Sequence, residues 1–400
     1  MTNPLAEQEN GYNLPFIKEE LLAPIADAWV YVSAKVQPNE HVMVYYDFPA
    51  RQLAHLVAKR CLKLGARVTT LVSDAEMGAI IMDHAKTKDI MRAGSFRDSQ
   101  IYESDVVFVI RAPVRLDVMS KISAERLAEA TVASEHVMSD YRVNYTRWQL
   151  IYWPTPAEAE LENMSYEEYV ALWLQAGNQP WDAIEEAQVT LVNKLDAAAT
   201  LTLIANPNDA DEQRRTKLTM SIADMTFINS TIDNNFPGAE VFSSPVRDSV
   251  NGQLFAAGRY DYQGRIFRDL FFKVVNGQIV EATAVENNDE LQLLLNRDEG
   301  ARYFGEVAFG TNPALRQRLF NGLLNEKVGG SFHITPGKAY QDTIADGKHV
   351  DNGNRSQIHW DITVPMLPSY GGGQVLLDDQ IIQQDGRWLD PDLAVLNSGL

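Results

Sequence analysis

The residues of this 400-residue chain whose types and spacing suggest chemistry are acidic residues and histidines in its carboxyl-terminal half. His359 and Asp361 lie two positions apart in IHWDITV, and residues at that spacing in an extended segment point to the same face. Their neighbours Ile358, Trp360 and Ile362 are apolar and would lie on the opposite face. An imidazole and a carboxylate side by side on a rigid strand form half of a metal site.

A single His-x-Asp pair is more often a hydrogen-bonded surface pair, so the metal interpretation depends on further residues nearby. Glu240 in PGAEVF, Glu306 in GEVAFG and His333 in SFHIT are the candidates. Glu306 lies between small and apolar residues, where an unpaired carboxylate would be costly to bury. Gly329 and Gly330 precede His333 and allow other groups to approach the backbone closely.

A family resemblance is carried by the segments PGAEVFSSPVRDSVNG, GEVAFGTNP, EKVGGSFHI and NRSQIHWDI. These segments resemble the M29 family of metallo-aminopeptidases, the aminopeptidase T-like or thermophilic metalloprotease family. The resemblance covers most of the chain, including the weaker segments VQPNEHVMVYYD and LGARVTTLV. Ala239 departs from the family pattern, because relatives usually carry glycine just before the first glutamate; we expect a change in local backbone freedom rather than in chemistry.

The resemblance also implies which residues do the chemistry. The family's metal ligands match Glu240, Glu306, His333, His359 and Asp361. An active-site tyrosine of the family matches Tyr340, whose hydroxyl would stabilise a tetrahedral oxyanion. Spacing alone does not distinguish Tyr340 from the other tyrosines of the chain.

Five candidate ligands exceed the three protein ligands that a catalytic zinc site usually takes. The surplus favours two divalent ions bridged by a carboxylate and water, and the oxygen and nitrogen donors allow Zn²⁺, Co²⁺, Mn²⁺ or Mg²⁺. Such a pair suits peptide hydrolysis, since one ion activates a water and the other polarises the carbonyl or binds the substrate amine. Glu306 is then a ligand and also a candidate catalytic base. The predicted enzyme removes N-terminal residues from short peptides.

Other candidate residues have weaker support. Glu326 and Lys327 have two interpretations. Either Glu326 belongs to the site, as a hydrogen-bond partner of a ligand histidine or as a general base, or the two residues form a surface salt bridge. Arg355 is expected to pair with a carboxylate at the rim. The segment from Gln341 to Gln357 is predicted to be a mobile rim. Its second His-x-Asp pair, His349 and Asp351, is interpreted as solvated; the amino-terminal histidines are interpreted as structural and are His41, His55, His84 and His136.

Composition limits the partners and the compartment. The formal charge of −19 argues against a nucleic-acid or anionic-membrane partner, since both require a basic surface. The single cysteine, Cys61, rules out an internal disulfide and is expected to be a small buried residue in a helix. The amino-terminal residues do not resemble a signal peptide, and no apolar run reaches the roughly 18 residues of a membrane span. We expect a cytoplasmic protein.

The first half of the chain alternates predicted strands and helices. Strands are predicted at Val42–Tyr46, Val68–Val72, Val106–Ile110 and Gln149–Trp153, and a helix at Arg51–Leu64. This succession favours a parallel sheet flanked by helices. The turn after the first strand, YYDFPARQ, lacks the glycines of a dinucleotide site, so this domain is predicted to be a scaffold.

Ser165 and Glu168 form a capping box that predicts a helix through Ala176. Beyond about residue 187 the pattern indicates β-rich segments, at Val189–Leu195 and Ala199–Ile204, with helices at Asp289–Leu295 and Glu299–Tyr303. The predicted fold is therefore an N-terminal parallel-sheet α/β domain, residues 1–195, followed by a β-rich α+β metal-binding catalytic domain, residues 196–400.

Two alternatives stay open beside the aminopeptidase. Mononuclear Fe(II) ring-cleaving dioxygenases resemble the same scaffold and keep the His-x-Asp pair, but they lack the two glutamates, so Glu240 and Glu306 favour the peptidase. A catalytically silent peptide- or metal-binding protein is the third possibility. The resemblance further implies a homodimer that encloses its active site.

Overall fold

The computed structural model describes residues 14–115, 118, 122–340 and 350–397, and these divide into two compact units. Unit 1 comprises the residues up to 178 together with 233–236, and unit 2 comprises 179–232 and the residues from 237 onward. The α-helices of the described residues are α1 Glu19–Asp27, α2 Arg51–Lys63, α3 Ala75–His84, α4 Thr87–Ala93, α5 Ser95–Tyr102, α6 Ala124–Glu135, α7 Arg142–Tyr145, α8 Pro156–Leu161, α9 Tyr166–Gly177, α10 Trp181–Asp196, α11 Asn288–Leu295 and α12 Gly322–Asn325.

The strands follow the same chain order. They are β1 His41–Asp47, β2 Arg67–Ser73, β3 Val106–Arg111, β4 Arg147–Tyr152, β5 Thr200–Ala205, β6 Thr216–Ser221, β7 Ile228–Ser230, β8 Asn235–Phe236, β9 Glu240–Ser243, β10 Asn251–Tyr262, β11 Arg265–Val275, β12 Gln278–Thr283, β13 Phe304–Gly310, β14 Ser331–Pro336, β15 Ile362–Pro365, β16 Gly373–Leu377, β17 Gln380–Gln384 and β18 Arg387–Trp388.

Unit 1 is built on a parallel sheet of order β2-β1-β3-β4-β8, so the predicted strands and their parallel pairing are confirmed. The central strand β3 reads VVFVIR, and its first five residues are buried, as expected for a strand covered on both faces. Trp29 packs edge-on against Phe108 of this strand, with ring centroids 4.8 Å apart.

Two helices of unit 1 show the local features that the sequence predicts, a capping box in α9 and a buried cysteine in α2. The Ser165 side chain accepts from the backbone N–H of Glu168 while the Glu168 carboxylate accepts from the backbone N–H of Ser165, so the capping box of α9 is confirmed. Cys61 lies buried in α2, as predicted. Burial raises the pKa of its thiol to about 12.

Unit 2 contains two antiparallel sheets. One has eight strands in the order β12-β11-β10-β6-β5-β16-β17-β18, and the other has five in the order β15-β14-β13-β9-β7. The mixed α/β class, with a parallel sheet followed by a β-rich region, is therefore confirmed. In the five-stranded sheet the central strand β13 is buried along its whole length.

Two local predictions for unit 2 differ from the structure. The β-rich assignment of Val189–Leu195 was wrong, because these residues form the last turns of α10, whose buried positions Ala187, Gln188, Leu191, Val192 and Leu195 follow helical spacing. The predicted second helix after α11 is a short 3₁₀ turn, Glu299–Arg302. The predicted domain boundary near residue 195 falls at the end of α10, whereas contacts group all of α10 with unit 2.

A search for membrane-crossing helices among the described residues finds none of sufficient length and apolar character.

Candidate metal centre

The five-stranded sheet of unit 2 places three of the predicted ligands on one face. Ala308 in β13 lies opposite Phe242 of β9 on one side and opposite His333 of β14 on the other. Because side chains alternate between the two faces of a strand, Glu240, Glu306 and His333 all project to the face of Ala308. The strand register therefore brings together residues that are far apart in sequence.

His359 and Asp361 reach this face differently from the prediction. They do not lie within a regular strand, because β15 begins only at Ile362; His359 forms an isolated antiparallel bridge with Gly337 instead. Gly337 has φ +111°, and a Cβ on it would lie 2.1 Å from the carbonyl oxygen of Ile358. The close approach that sets His359 thus requires glycine at position 337.

The residue before Glu240 is held in an unusual conformation. Ala239 is buried with φ 87°, in the left-handed region that glycine tolerates better than alanine. Its N–H donates to the carbonyl oxygen of Thr231 at 2.6 Å, and its own carbonyl accepts from the N–H of Thr311 at 3.0 Å. The change in local backbone freedom expected at this position therefore takes the form of strain at Ala239, the residue directly before Glu240.

The predicted ligands form two groups of three, and Glu306 belongs to both. One group is Glu240, Glu306 and His333, and the other is Glu306, His359 and Asp361; within each group the donor atoms lie within 4.8 Å of one another. His333 Nε2 lies 3.2 Å from Glu306 Oε1 and 3.7 Å from Glu240 Oε2. His359 Nε2 lies 3.3 Å from Glu306 Oε2 and 3.5 Å from Asp361 Oδ1.

A fully buried lysine lies behind the first group. Lys327 Nζ contacts Glu240 Oε1 at 2.6 Å and Glu326 Oε2 at 2.9 Å. The interpretation of Glu326 and Lys327 as a surface salt bridge was therefore wrong, because the Lys327 side chain has almost no exposed area. A buried ammonium needs such partners, since an unpaired charge in the interior is strongly unfavourable.

Neighbouring groups orient the candidate ligands of the second group. His359 Nδ1 lies 2.7 Å from the carbonyl oxygen of Lys338, an acceptor that makes Nδ1 a donor and orients Nε2 toward Glu306 and Asp361. The hydroxyl of Thr335 donates to Asp361 Oδ1 at 2.5 Å. Thr335 was not singled out in the sequence, although it lies two positions after His333 and hence on the same face of β14.

Charge in the cluster is concentrated and mutually perturbed. Burial alone would raise the pKa of Glu306, but hydrogen bonds and charge from His333 and His359 lower it to about 2. Burial would lower the pKa of both histidines, but the neighbouring carboxylates raise it, to about 9 for His333 and about 10 for His359. Burial raises the pKa of Glu326 to about 8.

These features fit a site for divalent cations. Within the described part of the chain, the buried His333 Nδ1 makes no hydrogen bond, and the buried Glu306 Oε2 has the 3.3 Å contact with His359 Nε2 beside it. The neighbouring carboxylates raise the pKa values of both histidines, so the cluster favours positive charge beyond that of Lys327. Cations bound among these donors would provide that charge and displace the protons.

Tyr340 lies at the open side of the cluster. Its ring centroid is 5.2 Å from that of Phe242 and 5.9 Å from that of His359, and 40% of the residue is exposed. The negative charge of Glu306 and of the neighbouring carboxylates holds the pKa of its hydroxyl well above the usual range. The hydroxyl is therefore a hydrogen-bond donor.

The remaining candidates lie outside the cluster. Arg355 pairs with Asp351, with 2.5 Å between Nη2 and Oδ2, as expected for a rim ion pair. His349 and the first part of the predicted mobile rim lie outside the described residues. Among the residues that the structure describes, the groups of possible metal ligands do not include His41, His55, His84 or His136.

Comparison with known proteins relates this geometry to one family. Residues 18–372 match the sequence profile described as thermophilic metalloprotease (M29). Aminopeptidase 2 of Geobacillus stearothermophilus is 24% identical over 367 residues, which cover 82% of this chain and 86% of that protein. Aminopeptidase T of Thermus thermophilus is 33% identical over 136 residues, 32% of this chain and 33% of that protein.

A solved structure has the same fold. Wild-type AmpT from Thermus thermophilus superposes with a TM-score of 0.76 at 21% identity, and the match covers 94% of this chain and 100% of that one.

Proposed function

Since the chain belongs to the M29 family of thermophilic metalloproteases, we propose that it is an aminopeptidase that uses two divalent cations to remove N-terminal residues from short peptides. The observation that carries this proposal is the pair of donor groups that share Glu306. A carboxylate with one oxygen toward each group is the arrangement of a bridging ligand in a two-metal hydrolase. The aminopeptidases among its relatives support the substrate class.

The proposed ligands divide between the two groups. Glu240, Glu306 and His333 would hold one cation, and Glu306, His359 and Asp361 would hold the other. The donors are carboxylate oxygens and imidazole nitrogens without sulfur, a set that suits Zn²⁺, Co²⁺, Mn²⁺ or Mg²⁺. Lys327 and Thr335 would hold the carboxylates of Glu240 and Asp361 in place.

The protein residues around the donors have distinct proposed roles. When bound, the cations would supply an activated water and polarise the scissile carbonyl. Tyr340, whose hydroxyl keeps its proton at neutral pH, would donate to the oxyanion that forms on that carbonyl. Glu306 and Glu326 are the candidates for accepting the proton of the attacking water. Glu326→Gln separates them, because lost activity with both metal equivalents retained would assign that role to Glu326.

The amino-end specificity follows from the chemistry of the free amine. A peptide's neutral terminal amine would be held at the cation-loaded donor groups, which would place its first peptide bond at the reacting position. We expect a short peptide to lose residues only from its amino end, and its N-acetylated form to be resistant. Mass spectrometry of the products tests this, and internal cuts or equal turnover of the acetylated peptide would exclude an aminopeptidase.

Metal dependence is tested on the purified protein. Elemental analysis is expected to give two divalent ions per chain, and chelation is expected to abolish hydrolysis of an aminoacyl chromogenic substrate. Restoration is then compared for Zn²⁺, Co²⁺, Mn²⁺ and Mg²⁺. Full activity in protein shown to be metal-free would end the proposal, and one ion per chain at full activity would reduce it to a mononuclear site.

The dioxygenase alternative gains no support from the relatives, which are named as aminopeptidases. Oxygen uptake with Fe(II) and a dihydroxypyridine would reopen it.

The assembly and compartment belong to the same proposal. A homodimer that encloses the site would exclude folded proteins, and light scattering during size-exclusion chromatography measures the oligomeric state. A single buried cysteine suits the reducing cytoplasm, which fractionation of the source cells tests.

A further inference from the structure

Unit 1 contains a cavity that the proposed peptidase reaction does not use. It has a volume of about 840 Å³ and lies at the carboxyl ends of β1, β2, β3 and β4, whose last residues are among its lining. In the order β2-β1-β3-β4, the strand that follows β1 in the chain, β2, lies on one side of β1. The next strand, β3, lies on its other side, so the strand order reverses direction at β1. Open parallel sheets bind ligands at such a switch point, outside the carboxyl ends of the strands.

The walls of this cavity are largely apolar. They include Leu71, Met77, Ile81, Met82, Phe96 and Val114. The volume lies within the range of small-molecule sites, which combine an apolar lining with a few polar groups. Methionine side chains adapt readily to the shape of an apolar ligand.

Arg111 supplies a charged group at the base of the cavity. It is the last residue of β3, and its guanidinium lies 4.9 Å from the ring centroid of Tyr45. Arg111 Nη1 lies 3.6 Å from Asp47 Oδ1, which is longer than a hydrogen bond. Asp47 Oδ2 instead accepts from the backbone N–H of Ala112 at 2.8 Å. The guanidinium also hydrogen-bonds the Tyr45 hydroxyl, and the remaining N–H donors of its fork suit a carboxylate.

The other charged residues of the lining already have partners. Arg97 donates to Asp98 Oδ1 at 2.7 and 2.9 Å, and Arg115 lies 3.2 Å from Glu76. Asp74 caps the first turn of α3.

The balance of charge around the cavity favours a singly charged ligand. Its four acidic residues are Asp47, Asp74, Glu76 and Asp98, and its three basic residues are Arg97, Arg111 and Arg115. The carboxylates would repel a phosphate dianion, while a single negative charge at Arg111 is opposed mainly by Asp47.

We propose that this cavity binds a small, largely apolar monocarboxylate, with its carboxylate on Arg111 and its apolar part against the wall formed by α3 and Phe96. The lining residues of this cavity all belong to unit 1, whereas the candidate metal ligands belong to unit 2.

Direct binding of octanoate to the full chain, measured by isothermal titration calorimetry, tests the proposal. We expect octanoate to bind at least about tenfold more tightly than 1-octanol, which lacks the charge, or octyl phosphate, which carries more of it. Absence of octanoate binding, or equal binding of 1-octanol, would overturn the proposal.

Two kinds of variant locate the binding. Gly78 lines the cavity within α3, and a Cβ on it would meet no atom within 4 Å, so Gly78→Trp is expected to obstruct the cavity while Gly78→Ala leaves octanoate binding unchanged. The double variant Arg111→Met with Asp47→Asn removes both charges, keeps an acceptor for the N–H of Ala112, and is expected to weaken octanoate binding about tenfold to a hundredfold.

Arg67→Met is the matched control. Arg67 is exposed and begins β2, so it lies at the amino end of that strand, whereas the cavity lies at the carboxyl ends of the strands. Octanoate binding that survives both Gly78→Trp and the double variant would place the ligand elsewhere and refute the assignment.

Discussion

The two donor groups of the candidate metal centre share Glu306 but differ in their access to solvent. In the group with Glu240 and His333, hereafter the buried group, those side chains are 9% and 1% exposed. In the group with His359 and Asp361, hereafter the open group, they are 33% and 23% exposed. Tyr340 lies on the open side, against His359.

The protein also balances the charge of the two groups differently. A buried ammonium, that of Lys327, contacts Glu240 in the buried group, whereas a neutral hydroxyl, that of Thr335, contacts Asp361 in the open group. We infer that the buried group is largely organised by the fold, while the open group meets the substrate. Variants of the shared and flanking residues test this division.

The largest expected effect is that of Glu306→Gln, because it removes the charge that both groups share. We expect kcat/KM to fall by about 10³-fold or more, the upper range for a single electrostatic group, and both metal equivalents to be lost or weakened. Elemental analysis and peptide hydrolysis measure this. Glu281→Gln, on the exposed face of β12, is the matched control. Loss of only one metal equivalent would show that Glu306 does not bridge the groups.

Tyr340→Phe tests the open side alone. If the hydroxyl stabilises the oxyanion, kcat should fall by about 10²–10³-fold, roughly 2.7–4 kcal/mol, with little change in KM or metal content. Tyr102→Phe is the control, because that ring is 43% exposed and also packs against an aromatic ring and a histidine. Parental kcat with intact metal would remove Tyr340 from the mechanism.

Lys327→Met tests the buried group. Losing the ammonium leaves Glu240 and Glu326 close together without their cation, so we expect the metal-free protein to lose about 3–5 kcal/mol of stability. Metal affinity should fall by up to about 100-fold, as for other residues that orient ligands. Denaturant unfolding and metal titration measure the two effects, with the exposed Lys273→Met as control. An unchanged unfolding free energy would contradict the role assigned to Lys327.

Thr335→Val makes the corresponding change in the open group. It removes one hydrogen bond to Asp361 but keeps the shape, so we expect about a tenfold loss of affinity for one metal equivalent. Thr363→Val is a close control, because that buried hydroxyl has no hydrogen-bond partner within the described ranges. An effect of Thr335→Val as large as that of Lys327→Met would remove the proposed difference between the groups.

The smallest expected effect is that of Ala239→Gly, which relieves the positive φ of the residue before Glu240. A non-glycine residue at positive φ destabilises the folded state by about 1–3 kcal/mol. Glycine removes this strain but loses more conformational entropy on folding, so we expect the free energy of unfolding to rise by about 1 kcal/mol. Activity should not change. Ala205→Gly in β5, where φ is not positive, should instead destabilise the protein. Both are measured by denaturant unfolding.

Local periodicity predicted much of the fold. Short continuous apolar runs such as VVFVIR correspond to strands, and the Ser165–Glu168 box starts its helix, because these features depend on neighbours along the chain. Val189–Leu195 was mistaken for β structure because its apolar residues fit both periods over so short a window. These residues are helical because they continue the 16-residue helix α10, whose apolar side chains pack at helical spacing.

The sequence by itself identified the candidate donor residues and the resemblance of the segments around them to one family. It also indicated that the five candidate donors outnumber the three protein ligands that a catalytic zinc ion usually takes. Tertiary structure alone decided that Glu306 belongs to both donor groups, that Lys327 is buried rather than exposed, and that His359 is held by Gly337 instead of a strand. The physical reason is that these relations depend on the register of β9, β13 and β14 and on close backbone approaches, which join residues far apart in the chain and leave no local pattern.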